Sequence, residues 1–316
     1  MSGSNGVQRS SRLSVDFCGV RFQNPILLAA GTAAYGEELD DVVQLDRLGG
    51  IITKAVSLEP RHGAPSPRVA EFDGGMMNAV GLANPGVAQV RERHLPWLGQ
   101  RLPNARTIVN VIGFQPDEFP RVIEQLGDDA PLHGFELNVS CPNTKAGGVE
   151  FGADPTALRE VVAASRAVTR RPLIVKLSPT LTDIGGAARI AADAGADAIS
   201  VVNTIPGLAI DVEHRRPALG YGTGGVSGPG LLPVGVLATW KVRTATSIPI
   251  IGIGGISSAD AVLQYLIAGA SLVAVGTGAL RDPRLPERLV RDLDAWCAGH
   301  NVRSLADITG TLEWPT

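Results

Sequence analysis

Eight short apolar segments recur along the chain, and a helix-like segment follows most of them. Each is almost wholly apolar, whereas strands of a half-exposed sheet alternate apolar with polar residues. Continuous apolar strands are typical of a parallel sheet covered on both faces. Eight strand–helix units predict an α/β fold, a (β/α)8 TIM barrel, because a doubly wound sheet usually needs fewer units. The predicted strands are residues 25–30, 50–55, 107–113, 134–139, 172–177, 198–203, 248–253 and 271–276.

Two long stretches interrupt this pattern. Residues 56–106 form a long insertion after the second strand, and residues 204–230 form a Gly/Pro-rich loop after the sixth. Loops longer than about 15 residues in a compact domain are usually functional. The glycine-rich run 220–228 does not lead directly from a strand into a helix, so we interpret it as a mobile loop and not as a nucleotide-binding loop. The predicted helices are residues 37–48, 116–126, 155–169, 183–194, 231–246 and 258–268.

Composition and charge exclude several classes of protein. The chain has 316 residues, 44% apolar and 19% charged, and we expect residues 13–316 to form one barrel domain. Residues 1–12 are polar and Ser/Gly-rich without the apolar core of a signal peptide, so a disordered tail is expected. A net charge of −3 does not indicate a nucleic-acid surface. No apolar run approaches the roughly 20 residues that span a bilayer.

The three cysteines are Cys18, Cys141 and Cys297, which are far apart in the sequence. An odd, scattered set argues against a disulfide framework and predicts a reducing, cytoplasmic location. It also offers no ligand cluster, so no metal or iron–sulfur site is expected on this chain. Cys141 differs from the other two because it follows a strand-like segment and lies among polar residues in the run 138–143. A thiol held where a strand ends is a candidate catalytic acid, base or nucleophile.

Polar and basic residues lie at or near the carboxyl ends of the predicted strands, where such a barrel has its active site. A charged residue inside an apolar strand is costly unless it meets a partner, although a lone lysine can instead extend to the barrel rim. Two buried lysines and three asparagines that converge on one end favour an anionic ligand that also forms hydrogen bonds. These residues are Lys54, Asn110, Asn138, Lys176 and Asn203, with Thr53 and Thr204 beside them.

Glycines follow the last two predicted strands, as Gly254-Gly255 and as Gly276 and Gly278 around Thr277. A glycine pair after a strand is normally only a turn. After the seventh and eighth strands, however, barrels commonly bind phosphate through backbone N–H groups. We therefore predict a phosphate site there.

The motifs of the chain resemble those of a known family, the dihydroorotate dehydrogenases. The run 138–143, continued by Gly147, Gly148 and the segment 151–155, carries the resemblance, and other segments match in order across residues 13–310. The resemblance implies an FMN-binding barrel that oxidises (S)-dihydroorotate to orotate in pyrimidine synthesis. The further matching segments are residues 53–55, 67–71, 77–86, 175–179, 202–204, 225–229, 251–256 and 275–277.

Within that family the chain resembles class 1, because Cys141 stands where the quinone-linked, membrane-bound members have serine. The continuation after Cys141 and the run 58–61 resemble class 1B catalytic subunits. This resemblance implies NAD as the final electron acceptor, reached through a partner subunit that carries FAD and an iron–sulfur cluster. It also implies a homodimer of this chain within a heterotetramer.

The resemblance implies a role for each site residue. Cys141 would remove the C5 proton of dihydroorotate, and the C6 hydride would pass to N5 of FMN. Lys176 would stabilise the negative charge of reduced FMN, and the loop around Cys141 and the segment 204–230 would close over the substrate. The implied substrate contacts are Lys54, Asn78, Ala79, Val80, Gly81, Leu82, Asn138, Asn203 and Thr204. The implied FMN contacts are Gly31, Lys54, Ala55, Asn110, Asn138, Lys176, Val202, Gly228, Gly254, Gly255, Gly276 and Thr277.

Several alternatives remain open. The chain is also compatible with a class 1A enzyme that uses fumarate, or with another FMN barrel that acts on a dihydropyrimidine. An enzyme that reduces tRNA would need a basic surface, which a net charge of −3 does not supply. A non-redox barrel could instead use Lys54 or Lys176 to form a Schiff base. A non-catalytic scaffold subunit would have no need of lysines inside strands.

Overall fold

Eight parallel strands close into a barrel in the computed structural model, which describes residues 11–140, 142–143 and 149–315. The strands follow one another around the barrel in chain order, and the eighth pairs with the first. The predicted (β/α)8 barrel is therefore confirmed. We number its strands β1 (Ile26–Leu28), β2 (Gly50–Ile52), β3 (Arg106–Val111), β4 (Gly134–Asn138), β5 (Leu173–Leu177), β6 (Ala198–Val201), β7 (Ile250–Ile253) and β8 (Leu272–Val275).

The helices surround this barrel, and three of those in the described residues have an N-cap side chain that accepts hydrogen bonds from free backbone N–H groups. Asp154, for example, accepts hydrogen bonds from the N–H groups of Thr156 and Ala157 at the start of the fourth helix, and Pro155 is its first residue. The helices are α1 (Val87–Gln89), α2 (Leu95–Arg101), α3 (Glu118–Leu126), α4 (Pro155–Ala167), α5 (Ile184–Asp193), α6 (Leu232–Ala245), α7 (Ala259–Ala268), α8 (Thr277–Arg281) and α9 (Leu285–Gly299), with a π-helix at Val90–His94 between α1 and α2.

One predicted helix, residues 37–48, is wrong. Only two short 3-10 helices form there, Glu37–Leu39 and Leu45–Arg47. The acidic side chains of this segment bind the neighbouring α2 region: Glu37 pairs with Arg93, and Asp40 pairs with Arg101. The backbone between these two short helices is irregular, and the ion pairs hold the segment against the neighbouring helices.

The barrel interior is closed at the amino ends of its strands by an antiparallel hairpin, Val15–Phe17 with Val20–Phe22. Phe17 and Phe22 pack edge to face with ring centroids 6.0 Å apart, below an apolar layer that includes Leu27 and Ile52. The lower barrel is therefore a packed core, and the ligand site is expected at the carboxyl ends of the strands.

A second, four-stranded antiparallel sheet joins the two long segments that interrupt the strand–helix pattern. Its order is Ile205–Gly207, Gly224–Ser227, Gly75–Asn78 and Val69–Phe72. We call it the covering sheet. The interpretation of run 220–228 as a mobile loop is wrong for Gly224–Ser227, which pairs on both sides. A further pair, Ile210–Asp211 with Arg216–Pro217, extends from the same segment.

The close approach of Gly225 to Thr204 shows why glycine is needed in the covering sheet. A Cβ atom on Gly225 would lie 2.0 Å from Thr204 Oγ1, far inside van der Waals contact.

Among the described residues, no helix has the length and apolar character needed to cross a bilayer.

Candidate active site

A cavity of about 1330 Å³ lies at the carboxyl ends of the barrel strands, between the barrel and the covering sheet. The structure brings together in its walls every predicted site residue of the described chain. They are Gly31, Lys54, Ala55, Asn78, Ala79, Val80, Gly81, Leu82, Asn110, Asn138, Lys176, Val202, Asn203, Thr204, Gly228, Gly254, Gly255, Gly276 and Thr277. Cys141, the predicted catalytic residue, lies outside the described residues.

Two lysine ammonium groups face this cavity. Lys176 lies in β5 and is 6% exposed, whereas Lys54, which follows β2, is half-buried and not buried as we expected. Within the described chain neither ammonium has an ion-pair partner within 4.0 Å. Two charges held in this way favour an anionic ligand, because a buried charge is costly until it is paired.

The environment of Lys54 destabilises its charged form relative to a lysine in water. Burial lowers the pKa of the Lys54 ammonium below its usual value, and the positive charge of Arg68 lowers it further. The carboxylate of Glu38 opposes both effects. A ligand carboxylate next to Lys54 would act in the same direction as Glu38 and would favour the charged form.

Amide groups complete the wall beside Lys176. Asn138 in β4 is the register partner of Lys176 in the parallel pair β4–β5. Asn203 Nδ2 donates to Asn138 Oδ1 at 3.4 Å, and Asn203 Oδ1 accepts from the N–H of Thr204 at 2.9 Å. These contacts orient both amides and, among the described residues, leave the Asn138 Nδ2 group as a donor for a ligand.

A buried carboxylate that the sequence analysis did not identify lies below these amides. Glu136 in β4 and Ser200 in β6 are both 0% exposed. Asn110 Nδ2 donates to Glu136 Oε1 at 2.6 Å, and Ser200 Oγ donates to Glu136 Oε2 at 2.7 Å. The signal in the sequence was a single acidic residue inside a strand whose other residues, apart from Asn138 at its end, are apolar or glycine.

The predicted phosphate end of the cavity is lined by glycines. Gly254 and Gly255 have φ values of 121° and 69°, in the region that favours glycine. Gly276 also lines the cavity, and a Cβ atom there would meet no atom closer than 3.8 Å, an ordinary van der Waals contact. Thr277 Oγ1 donates to Ser227 Oγ at 2.7 Å, and Ser227 Oγ donates to the carbonyl of Met76 at 3.2 Å.

The segment 78–82 reaches the cavity as a tight turn held by its neighbours. The N–H of Ala79 donates to the carbonyl of Arg68 at 2.8 Å, and Asn78 Nδ2 approaches the carbonyl of Gly225 at 3.5 Å. Gly81 has a φ of 69°, and a Cβ atom there would lie 2.3 Å from the backbone nitrogen of Ala64. This packing presents the backbone of residues 79–82 to the cavity.

Comparison with known proteins gives matches along nearly the whole chain. The sequence model of a family described as "Dihydroorotate dehydrogenase" matches residues 12–296. A protein from Pelobacter propionicus, named "Dihydroorotate dehydrogenase B (NAD(+)), catalytic subunit", is 43% identical over 301 residues, 95% of this chain and 98% of the relative. A protein of the same name from Geobacter sp. is 44% identical, again over 95% of this chain and 98% of the relative. A protein from Solibacter usitatus, named "Putative dihydroorotate dehydrogenase A (fumarate)", is 45% identical over 96% of this chain and 99% of the relative.

Proposed function

This chain belongs to the dihydroorotate dehydrogenase family, as its motifs predicted, and we propose that it oxidises (S)-dihydroorotate to orotate in the cavity at the carboxyl ends of β1–β8. The observation that carries this proposal is the pair of lysines, Lys54 and Lys176, that line one cavity without an ion-pair partner in the described chain. The substrate is a small carboxylate with ring amides, which matches ammonium and amide groups in one wall.

We propose FMN as the cofactor, because several features fit it. The cavity, about 1330 Å³, is larger than the roughly 300–1,000 Å³ of most small-ligand sites, so a cofactor and a small substrate can share it. Gly254, Gly255 and Gly276 line the cavity where a phosphate would bind, and Asn110 Oδ1 is buried without a partner among the described residues. When bound, FMN would supply the hydride acceptor.

Residues of this chain would bind the substrate, stabilise charge on the cofactor and remove the substrate proton. Lys176, with almost no exposure to water, would stabilise negative charge on the cofactor ring more strongly than an exposed lysine, because the surroundings are of low dielectric. Lys54 and the segment 78–82 would bind the substrate carboxylate and ring. Asn138, Asn203 and Thr204 would match the remaining ring donors and acceptors. Cys141 would remove the C5 proton as a general base.

We propose that electrons leave through a partner subunit with FAD and an iron–sulfur cluster and reach NAD. The names of two relatives, which describe a catalytic subunit and NAD(+), support this proposal. A relative of similar identity, 45%, is named for fumarate, so a fumarate-linked enzyme is the second candidate. Turnover of the purified chain with fumarate alone, compared with turnover with NAD and the partner subunit, separates the two.

The test of the reaction is anaerobic. Dihydroorotate is added to the purified chain, and the visible flavin absorbance is followed together with orotate formation. Bleaching with one orotate formed per flavin supports the proposal. A flavin that stays oxidised with dihydroorotate but bleaches with dihydrouracil would indicate another dihydropyrimidine substrate, and a purified protein that binds no flavin would contradict the redox proposal.

A further inference from the structure

Glu136 is a fully enclosed carboxylate in the barrel interior, and it does not line the cavity. Its two oxygens accept hydrogen bonds from Asn110 Nδ2 and Ser200 Oγ, at 2.6 and 2.7 Å. Asn110 is its register partner on the neighbouring strand β3, so the two side chains leave the sheet side by side. Asn110, unlike Glu136, does line the cavity.

Glu136 does not neutralise a cation in the described chain. No lysine, arginine or histidine nitrogen of the described residues lies within 4.0 Å of its carboxylate, even though Lys176 belongs to the adjacent strand β5. A buried carboxylate without an ion pair is costly, and an apolar residue of similar volume would avoid this cost. The presence of Glu136 therefore points to a role that an apolar residue would not fulfil.

The consequence of this contact is the orientation of the Asn110 amide. The carboxylate of Glu136 accepts hydrogen bonds, so the NH2 group of Asn110, and not its oxygen, must face it. Asn110 Oδ1 is thereby turned away from Glu136. That oxygen is buried, and none of the described residues forms a hydrogen bond with it. A buried acceptor without a partner is the group that a ligand donor would satisfy.

We propose that Glu136 is a positioning residue that fixes the Asn110 amide with its oxygen towards the cavity, where it accepts a hydrogen bond from bound FMN. This inference rests on the proposed function, because it takes FMN as the ligand. The donor is either the N3–H of the flavin ring or a hydroxyl of the ribityl chain, and both offer the same chemistry to an amide oxygen. The carboxylate thus selects which end of the amide the cofactor meets.

The experiment measures FMN affinity and needs no turnover. Apoprotein is titrated with FMN, and the change in flavin fluorescence gives Kd for the wild type, E136Q, N110L and the double variant. A glutamine at position 136 can offer either its oxygen or its nitrogen to Asn110, so the amide is no longer fixed. We expect Kd to rise about tenfold in E136Q and in N110L, the loss of about one oriented hydrogen bond.

The double variant separates a positioning role from a merely structural one. If Glu136 acts through Asn110, E136Q/N110L binds FMN no more weakly than either single variant, whereas independent effects would combine to about a hundredfold. E118Q is the matched control, because Glu118 also accepts a hydrogen bond, from the N–H of Phe114 at 2.7 Å, but does not line the cavity. Its Kd should stay within about twofold of the wild type.

Lumiflavin, which lacks the ribityl chain, identifies the donor. A weaker affinity of E136Q for lumiflavin assigns the ring N–H, and an unchanged affinity assigns a ribityl hydroxyl. Wild-type FMN affinity in E136Q, or combined effects in the double variant, would overturn the inference while leaving the proposed function intact. A wild-type protein without FMN affinity would remove both. If E136Q does not fold, a folded N110L with unchanged Kd would also overturn the inference.

Discussion

Thr277 and Ser227 join the barrel to the covering sheet through a single hydrogen bond of 2.7 Å between their hydroxyl groups. Thr277 follows β8, and Ser227 ends the strand Gly224–Ser227. Because Ser227 also donates to the carbonyl of Met76, one hydroxyl connects the predicted phosphate end of the cavity with both central strands of the covering sheet. Phosphate binding at this end of the cavity and the order of the covering sheet should therefore affect each other.

Replacing Ser227 by alanine should loosen this connection. We expect S227A to lose about 1 kcal/mol of unfolding free energy, the usual contribution of a hydrogen bond, and to show faster amide hydrogen exchange in the strand Gly75–Asn78. Hydrogen exchange with mass spectrometry measures this effect. S304A is the control, because Ser304 also accepts a hydrogen bond, from the N–H of Ala306, but lies away from the cavity. Equal exchange in S227A and S304A at Gly75–Asn78 would contradict the connection.

Replacing Gly225 by alanine should disturb both the covering sheet and the substrate site. The added Cβ would meet Thr204, a cavity residue, at 2.0 Å, and such overpacking typically costs about 1–3 kcal/mol. We expect G225A to unfold at a lower urea concentration and to raise KM for dihydroorotate. G230A is the matched control, because a Cβ atom on Gly230 meets nothing within 4 Å. A G225A variant as stable as G230A would refute the steric argument.

The barrel strands were predictable because each is a continuous apolar run, and the observed strands fall within the predicted ranges or extend them by one residue. β3, for example, begins at Arg106, one residue before the predicted start. Helix Leu285–Gly299 was not predicted, although its buried residues lie on one face. This helix lies beyond the eighth strand, where the strand–helix pattern used for the prediction ends.

The covering sheet was not predictable from local sequence. It pairs Gly75–Asn78 with Gly224–Ser227, two glycine-containing segments about 150 residues apart, whose composition is typical of loops. The candidate site was largely predictable, because strand ends in a barrel converge on one face. The hydrogen bonds within the site were not predictable, because no spacing in the sequence relates Glu136 to both Asn110 and Ser200.

Removing the thiol of Cys141 tests the predicted general base. C141A should retain FMN, because the predicted FMN contacts lie elsewhere, but reduction of its flavin by dihydroorotate at neutral pH should be slower by about 10²–10⁴-fold, the usual contribution of general base catalysis. Rapid mixing under anaerobic conditions measures this rate. C297A is the control, because Cys297 is a buried residue of α9. Wild-type reduction rates in C141A would exclude Cys141 as the base.

Lys54 should make substrate binding depend on pH. Burial, followed by the charge of Arg68, lowers the pKa of the Lys54 ammonium below its usual value of about 10.4. Only the protonated ammonium attracts the substrate carboxylate. The affinity for orotate should therefore be highest at pH values below the pKa of Lys54 in the free protein, and it should fall as the pH rises through that pKa. The Kd for orotate, measured from the change in flavin absorbance across about pH 6–10, reports this fall at a lower pH than an ordinary lysine would give.

Two substitutions identify Lys54 as the titrating group. K54A should bind orotate at least about tenfold more weakly, because a charge-assisted hydrogen bond is lost, and the alkaline fall in affinity should disappear. K54R keeps its charge throughout the range, since the arginine pKa exceeds about 12, so its affinity should stay constant up to pH about 10 even if it is lower. An alkaline fall that persists in both variants would assign the titration to another group, and unchanged flavin reduction in K54A would exclude Lys54 from the substrate site.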